Sequence, residues 1–118
     1  MTNYIAVYGT LKKGYRNHDL LLTSKFIKNS HTGVGFALFV DDLPFLVQRE
    51  DGKGAEIEIY EVSNEVLNDL DRLEGHPRFY TRIFLRYEDD KKLEIYVLSK
   101  DLSKQLCNEP ISKSVESY

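Results

Sequence analysis

The sequence predicts an α+β fold built on a curled mixed sheet or small β-barrel, and three observations predict it. Runs rich in β-branched and aromatic residues recur between residues 4 and 98, separated by glycine-rich or charged turns. One stretch, residues 63–75, carries strong helical periodicity. The order of the pieces is strand, loop, short helix, several strands, one helix, two strands, which is an α+β order.

Composition narrows the class. At 118 residues the chain makes one compact domain rather than two. Its 42% hydrophobic and 30% charged residues are ordinary for a globular protein, and eight tyrosines and six phenylalanines without tryptophan suit a small strand-rich core. A net charge of −3 with no dense Lys/Arg block argues against a nucleic-acid surface. The lone cysteine, Cys107, can form no internal disulfide and fits a reducing compartment. No run approaches the ~18 apolar residues of a membrane span, and the N-terminus lacks a signal-peptide pattern. The expectation is a cytoplasmic protein with no membrane partner.

Tyr4–Tyr8 reads as a buried strand closed by Gly9. It opens into Thr10-Leu11-Lys12-Lys13-Gly14, a polar loop between two glycines. Gly9 lets the backbone turn, so that successive N–H groups can converge on an anion or a carbonyl oxygen; an ordinary turn after a strand is the plainer reading. Asn17 is placed to cap a short helix carrying Leu20-Leu21-Leu22. His18 shares no metal-ligand spacing with His31 or His76, so a packing or loop-fixing role is expected of it rather than a catalytic one.

Residues 25–40 are strand material with a break expected at Asn29-Ser30. Gly33 and Gly35, two apart, would share one face of a strand and leave room there for a backbone or ligand, or would let a barrel strand bend. Asp41-Asp42-Leu43-Pro44 reads as a polar turn, and Glu50–Gly54 as a hairpin turn. From Ala55 to Val62 the alternation is strict, with Ala55, Ile57 and Ile59 facing one way and Glu56, Glu58 and Tyr60 the other, as in a half-exposed antiparallel strand.

Ser63 starts a helix as its N-cap, and Val66, Leu67, Leu70 and Leu73 form one apolar stripe, with Asp69, Asp71 and Arg72 on the wetter side. Gly75 and Pro77 end it. Tyr80–Glu88 and Leu93–Leu98 form a second strand pair around a charged turn at 89–92. The expected domain is 1–102, followed by a tail, 103–118, that is a short helix or loosely ordered.

Glu74 is the candidate for chemistry. It stands at the helix end without a cationic neighbour in sequence, where the negative helix terminus should raise its carboxyl toward the range useful for acid–base work.

Together Tyr8-Gly9-Thr10-Leu11-Lys12-Lys13-Gly14 with Asn17-His18, Leu43-Pro44, Glu56–Val62 and Leu70–Arg82 (LDRLEGHPRFYTR) resemble the γ-glutamylcyclotransferase-like family, which includes the AIG2-like proteins. The resemblance runs from about residue 4 to 98, and the YGTLK-x-G-x-x-NH form is most similar to the γ-glutamylamine cyclotransferase branch. Ala55 departs from it, standing where the family often has glycine. The resemblance implies a small β-barrel with flanking helices. It also implies an intramolecular reaction in which the α-amine of a γ-glutamyl group attacks its own γ-carbonyl, giving 5-oxoproline and a free amine. Glu74 matches the family's catalytic glutamate. The loop Tyr8, Gly9, Thr10 and Leu11 would bind substrate and oxyanion through backbone N–H groups, and Tyr80 would contact the substrate or Glu74, or else pack in the core. Arg82 reads as structural or as part of the rim. A small γ-glutamyl substrate is implied, with no metal and no organic cofactor. Two functional readings stand: a cyclotransferase, and a small-ligand binding protein without turnover on the same fold. No exposed apolar stripe nominates a protein–protein scaffold, and nothing in the sequence sets an oligomeric state.

Overall fold

The first strand, β1 (Asn3–Val7), is the spine of the molecule. It pairs antiparallel with β5 (Glu56–Val62) on one side and parallel with β7 (Lys92–Leu98) on the other. The outer strands β2 (Lys25–His31) and β6 (Tyr80–Arg86) pair antiparallel with β5 and β7, giving the order β2-β5-β1-β7-β6. The remaining strands, β3 (Phe36–Asp41) and β4 (Leu43–Gln48), form a separate antiparallel hairpin, with β4 packed against β7. This computed structural model describes residues 3–41, 43–86, 92–104 and 108–117.

Alternate residues of β1 feed two cores, because successive strand side chains point to opposite faces. Ile5 and Val7 meet Leu67 and Leu70 of the helix α1 (Asn64–Glu74), while Ala6 packs with Ile57, Ile59, Leu38 and Leu46. With both faces covered, the strand needs no polar alternation, which explains its continuous apolar run. The sheet does not close into a hydrogen-bonded ring. The barrel-like enclosure comes from the β3–β4 hairpin laying Leu38 and Leu46 onto one face.

Several local expectations need correction. Strand β2 runs unbroken through Asn29 and Ser30, with a bulge between Phe26 and Lys28. The break falls at 32–35 instead, where Gly33 and Gly35 turn the chain at φ 79° and 99°. They therefore share no strand face, although the space beside each is open. Pro44 lies within β4, paired with Val40, rather than in a turn. Glu50–Gly54 is no hairpin turn, since β4 and β5 belong to different sheets. A Cβ on Gly52 would collide with the Phe36 backbone, so close chain approach explains that glycine.

On β5, Ala55, Ile57 and Ile59 do face one core. The opposite face is wet at Glu56 and half-buried at Glu58, as expected, but Tyr60 and Val62 are buried beneath α1 and the 3-10 turn His18–Leu21. The expected helix limits hold. Ser63 Oγ accepts from the Val66 N–H at 3.2 Å, and Gly75 (φ 66°) ends α1 with its N–H turned back to the Arg72 carbonyl. Leu73 leaves the predicted stripe and is 44% exposed, lining an open cleft rather than the core.

After β7 comes one short helical turn, α2 (Lys100–Ser103). Later residues return to the sheet: Val115 N–H donates to the Leu38 carbonyl at 2.8 Å, and Arg49 reaches the Glu109 carbonyl at 2.7 Å. Of the charged turn expected at 89–92, Lys92 opens β7, while residues 89–91, like Asp42 and Cys107, lie outside the described residues. No helix among the described residues is long and apolar enough to cross a membrane.

Candidate active site

At the end of β1 the chain is extended through Tyr8 and reverses at Gly9 (φ 65°) into the 3-10 turn Gly9–Leu11. A Cβ on Gly9 would strike the Pro44 ring, so both conformation and space require glycine here. The N–H groups opening such a turn have no acceptors within it. Behind them the turn is firmly tied. Leu11 is buried in the core, and its carbonyl accepts from His18 Nδ1 at 2.9 Å. Lys13 N–H donates to Glu58 Oε1 at 2.9 Å.

Asn17 does not cap the turn that follows it. Its backbone N–H donates to the Thr10 carbonyl at 2.8 Å and its side-chain amide to Thr10 Oγ1 at 2.9 Å. Both donors fasten the glycine loop instead. His18 performs the expected loop-fixing role and lies outside the cleft that the loop borders.

That cleft has a volume of about 460 Å³ and brings Tyr8, Thr10 and Asn17 together with Pro44, Glu74 and Tyr80. Burial pushes the Glu74 carboxyl up to about 7. The direction agrees with the helix-end expectation, but the cause is removal from water rather than the helix terminus. Tyr8 and Tyr80 are pushed up as well, first by burial; for both, the neighbouring carboxylate of Glu74 adds to the shift. Each phenol donates to a backbone carbonyl, Tyr8 to Tyr96 at 2.6 Å and Tyr80 to Pro44 at 2.9 Å. Tyr80 also stacks on Phe45 at 6.5 Å between ring centres. Its hydroxyl is thus committed to Pro44, while its ring lines the cleft.

Of the residues expected from sequence, Tyr8, Thr10, Glu74 and Tyr80 meet in this cleft. Gly9 and Leu11 are buried and do not line it. Asp71 is not on a wet face. It receives Arg82 Nε at 2.8 Å, Arg82 Nη2 at 3.0 Å and the Tyr96 hydroxyl at 2.6 Å, while Arg82 Nη1 holds Glu94 at 2.7 Å. This confirms Arg82 as structural and shows its task, which is to pin the end of α1 to β6 and β7. The periodicity of α1 hides Asp71, since its partners lie 11 and 25 residues away. Arg16, Arg72 and Phe79 also reach the cleft. They too carry no periodic signal. Among the described residues no group of three His, Cys, Asp or Glu side chains is arranged to hold a metal ion.

A strand-turn loop facing a half-buried helix-end carboxyl defines the class: a small-molecule cleft holding one carboxyl that burial raises toward neutrality. Comparison with known proteins gives it a family. Residues 5–115 match the family described as "Gamma-glutamyl cyclotransferase, AIG2-like", and the chain belongs to that family. A Methanocaldococcus jannaschii protein named "Putative gamma-glutamylcyclotransferase" is 36% identical over 97 residues, covering 80% of this chain and 81% of its own. Gamma-glutamylaminecyclotransferase C of Danio rerio is 35% identical over 96 residues, covering 74% of this chain and 63% of its own. Among solved structures, an AIG2-like protein from Mus musculus superposes with a TM-score of 0.79 at 28% identity, covering 99% of this chain and 88% of its own.

Proposed function

We propose that this protein is a γ-glutamylcyclotransferase acting on a γ-glutamyl amine or a related γ-glutamyl compound, with Glu74 as its acid–base group. One observation carries the reading: a half-buried carboxyl, raised to about 7, shares a cleft with the turn Gly9–Leu11. Membership of the cyclotransferase family and the names of its relatives support the same activity.

The α-amine of the substrate is an ammonium near neutrality and must lose protons before it can attack. Its nitrogen then bonds to the γ-carbonyl carbon, and the bond from that carbon to the departing nitrogen breaks. Across the whole reaction two protons leave the attacking ammonium and two reach the departing amine. One travels through Glu74, which accepts it as carboxylate and returns it as acid, and the other exchanges through solvent. A group with a pKa near the working pH does both halves well. No water is added, so the step is a lyase-type cyclisation that releases 5-oxoproline.

Negative charge gathers on the γ-carbonyl oxygen as the ring closes. The backbone N–H groups at the start of the Gly9–Leu11 turn supply fixed donors for it. Tyr8 and Tyr80 offer ring surface and phenol oxygens whose protons are already directed to Tyr96 and Pro44. Holding the glutamyl chain folded between these walls supplies the remainder through positioning.

The test is 5-oxoproline release from a panel of γ-glutamyl amines, γ-glutamyl-ε-lysine included, by wild type and Glu74→Gln in parallel. Release by wild type alone supports the assignment. Equal release by both removes Glu74 from the chemistry. Binding of γ-glutamyl ligands without any product makes the protein a binder on this fold.

A further inference from the structure

We infer that a second pocket, bounded by the turn His18–Leu21 and strands β2 and β5, binds a small organic cation, an alkylammonium able to donate N–H bonds. The pocket has a volume of about 410 Å³ and shares no lining residue with the Glu74 cleft, so it stands independently of the cyclotransferase reading. Its one acid is Glu58. Oε1 of that carboxylate accepts from the Lys13 N–H and from the Tyr60 hydroxyl, each at 2.9 Å. Oε2 is left without a hydrogen bond among the described residues. Lys13 is exposed, and among the described residues its ammonium forms no ion pair with Glu58. The negative charge is therefore not cancelled within the wall.

Two more polar atoms of this wall lack a partner. His18 Nδ1 lies 2.9 Å from the Leu11 carbonyl, and a carbonyl only accepts, so Nδ1 carries the proton. In the neutral ring Nε2 is then an acceptor, and it has no hydrogen-bond partner among the described residues. The Ser24 hydroxyl oxygen is buried and equally unpartnered among them. A buried polar atom without a partner costs free energy, and a bound donor recovers it. Around these atoms stand three rings, with the centre of Tyr60 5.7 Å from that of His18 and 5.5 Å from that of Phe26. Phe26 and Leu22 are 49% and 69% exposed, an apolar rim able to cover an alkyl stem. A carboxylate set among aromatic faces attracts a cation and repels an anion. The free acceptors favour an ammonium that carries N–H donors over a quaternary one.

The probe is butylammonium, titrated at constant ionic strength while the Lys13 backbone amide is followed by NMR, since that N–H is bonded to Glu58. A saturable shift with a dissociation constant of roughly 1 mM is expected. Butyltrimethylammonium, which has no N–H, should bind about tenfold more weakly, and butanoate should not bind. Glu58→Gln keeps an acceptor for Lys13 but removes the charge, and should weaken butylammonium about tenfold. Phe26→Ala, on the outer strand β2, should weaken it about threefold and spare the fold, because Phe26 is half exposed. Glu74→Gln should bind it as the wild type does. Loss of binding in Glu74→Gln would move the cation to the other cleft and overturn the inference. So would undiminished binding by Glu58→Gln and Phe26→Ala, equal binding of either comparison ligand, or no saturable shift at tens of millimolar.

Discussion

Arg82 holds Asp71 through two nitrogens, at 2.8 and 3.0 Å, and Asp71 stands three residues before Glu74 on the same helix. Residues three apart share a helix face, so the clamp fixes the helix end one turn from the Glu74 carboxyl. The Tyr96 hydroxyl adds a third bond to Asp71 at 2.6 Å, and the Tyr96 carbonyl accepts the Tyr8 phenol. One residue of β7 thus links both walls of the cleft.

Asp71→Asn should cost about 2–3 kcal/mol of stability, because it leaves a partly buried guanidinium facing a neutral amide. It should also lower kcat for 5-oxoproline release by more than it raises KM, since the clamp positions Glu74 rather than the ligand. Thermal unfolding with steady-state kinetics checks both. An intact kcat would dissociate the clamp from the chemistry.

The proposed base predicts a pH profile. Glu74 acts as carboxylate first, so kcat should climb with pH through about 7 and then level. Glu74→Gln should lower turnover by about a thousandfold and erase that limb. A profile that titrates near 4.5, the ordinary carboxyl value, would show that burial does not tune the group.

Stability should move the opposite way. A carboxyl raised from 4.5 to about 7 on folding binds its proton more tightly in the native state. Between those two values the native state holds more protons than the unfolded chain, so stability falls as pH rises through this window and levels above about 7. Glu74→Gln removes the cost of ionising the buried group. It should therefore be more stable than wild type at pH 8, by about 1–2 kcal/mol after allowing for solvent access to the carboxyl, and indistinguishable at pH 4. Urea unfolding at the two pH values measures the difference.

Gly9→Ala should be harmful twice over. Its φ of 65° costs an L-residue about 1 kcal/mol, and the new methyl would meet the Pro44 ring. Displacing the turn misaims its N–H groups, so 5-oxoproline release should fall at least tenfold even where the protein remains folded by circular dichroism.

Asn17→Ala gives a milder test of the same turn. It removes the amide donor to Thr10 Oγ1 but keeps the backbone bond. A loss of about 1 kcal/mol in stability and a KM raised severalfold are expected, with kcat less affected. Asn17→Asp, which cannot donate to Thr10, should resemble it.

Local signals in the chain specify a good deal of this protein. The strands β1 and β5, the helix from its Ser63 cap to its Gly75 stop, and the glycine turn after β1 follow from side-chain period, capping chemistry and φ preference, all properties of near neighbours. Glu74 and Tyr8 stood out for the same reason, one at a helix end and the other at a strand end. Long-range geometry settles what remains. Pro44 reaches Tyr80 across 36 residues, Arg82 finds Asp71 on another element, and Asn17 turns from capping to tying Thr10. Glu50–Gly54 resembles a hairpin until β4 and β5 choose different partners. Pairing and burial depend on which surfaces meet when the sheet and hairpin enclose their cores, and no window of adjacent residues contains that contact. The elevated Glu74 carboxyl is the same case, since water is excluded from it by walls drawn from separate parts of the chain.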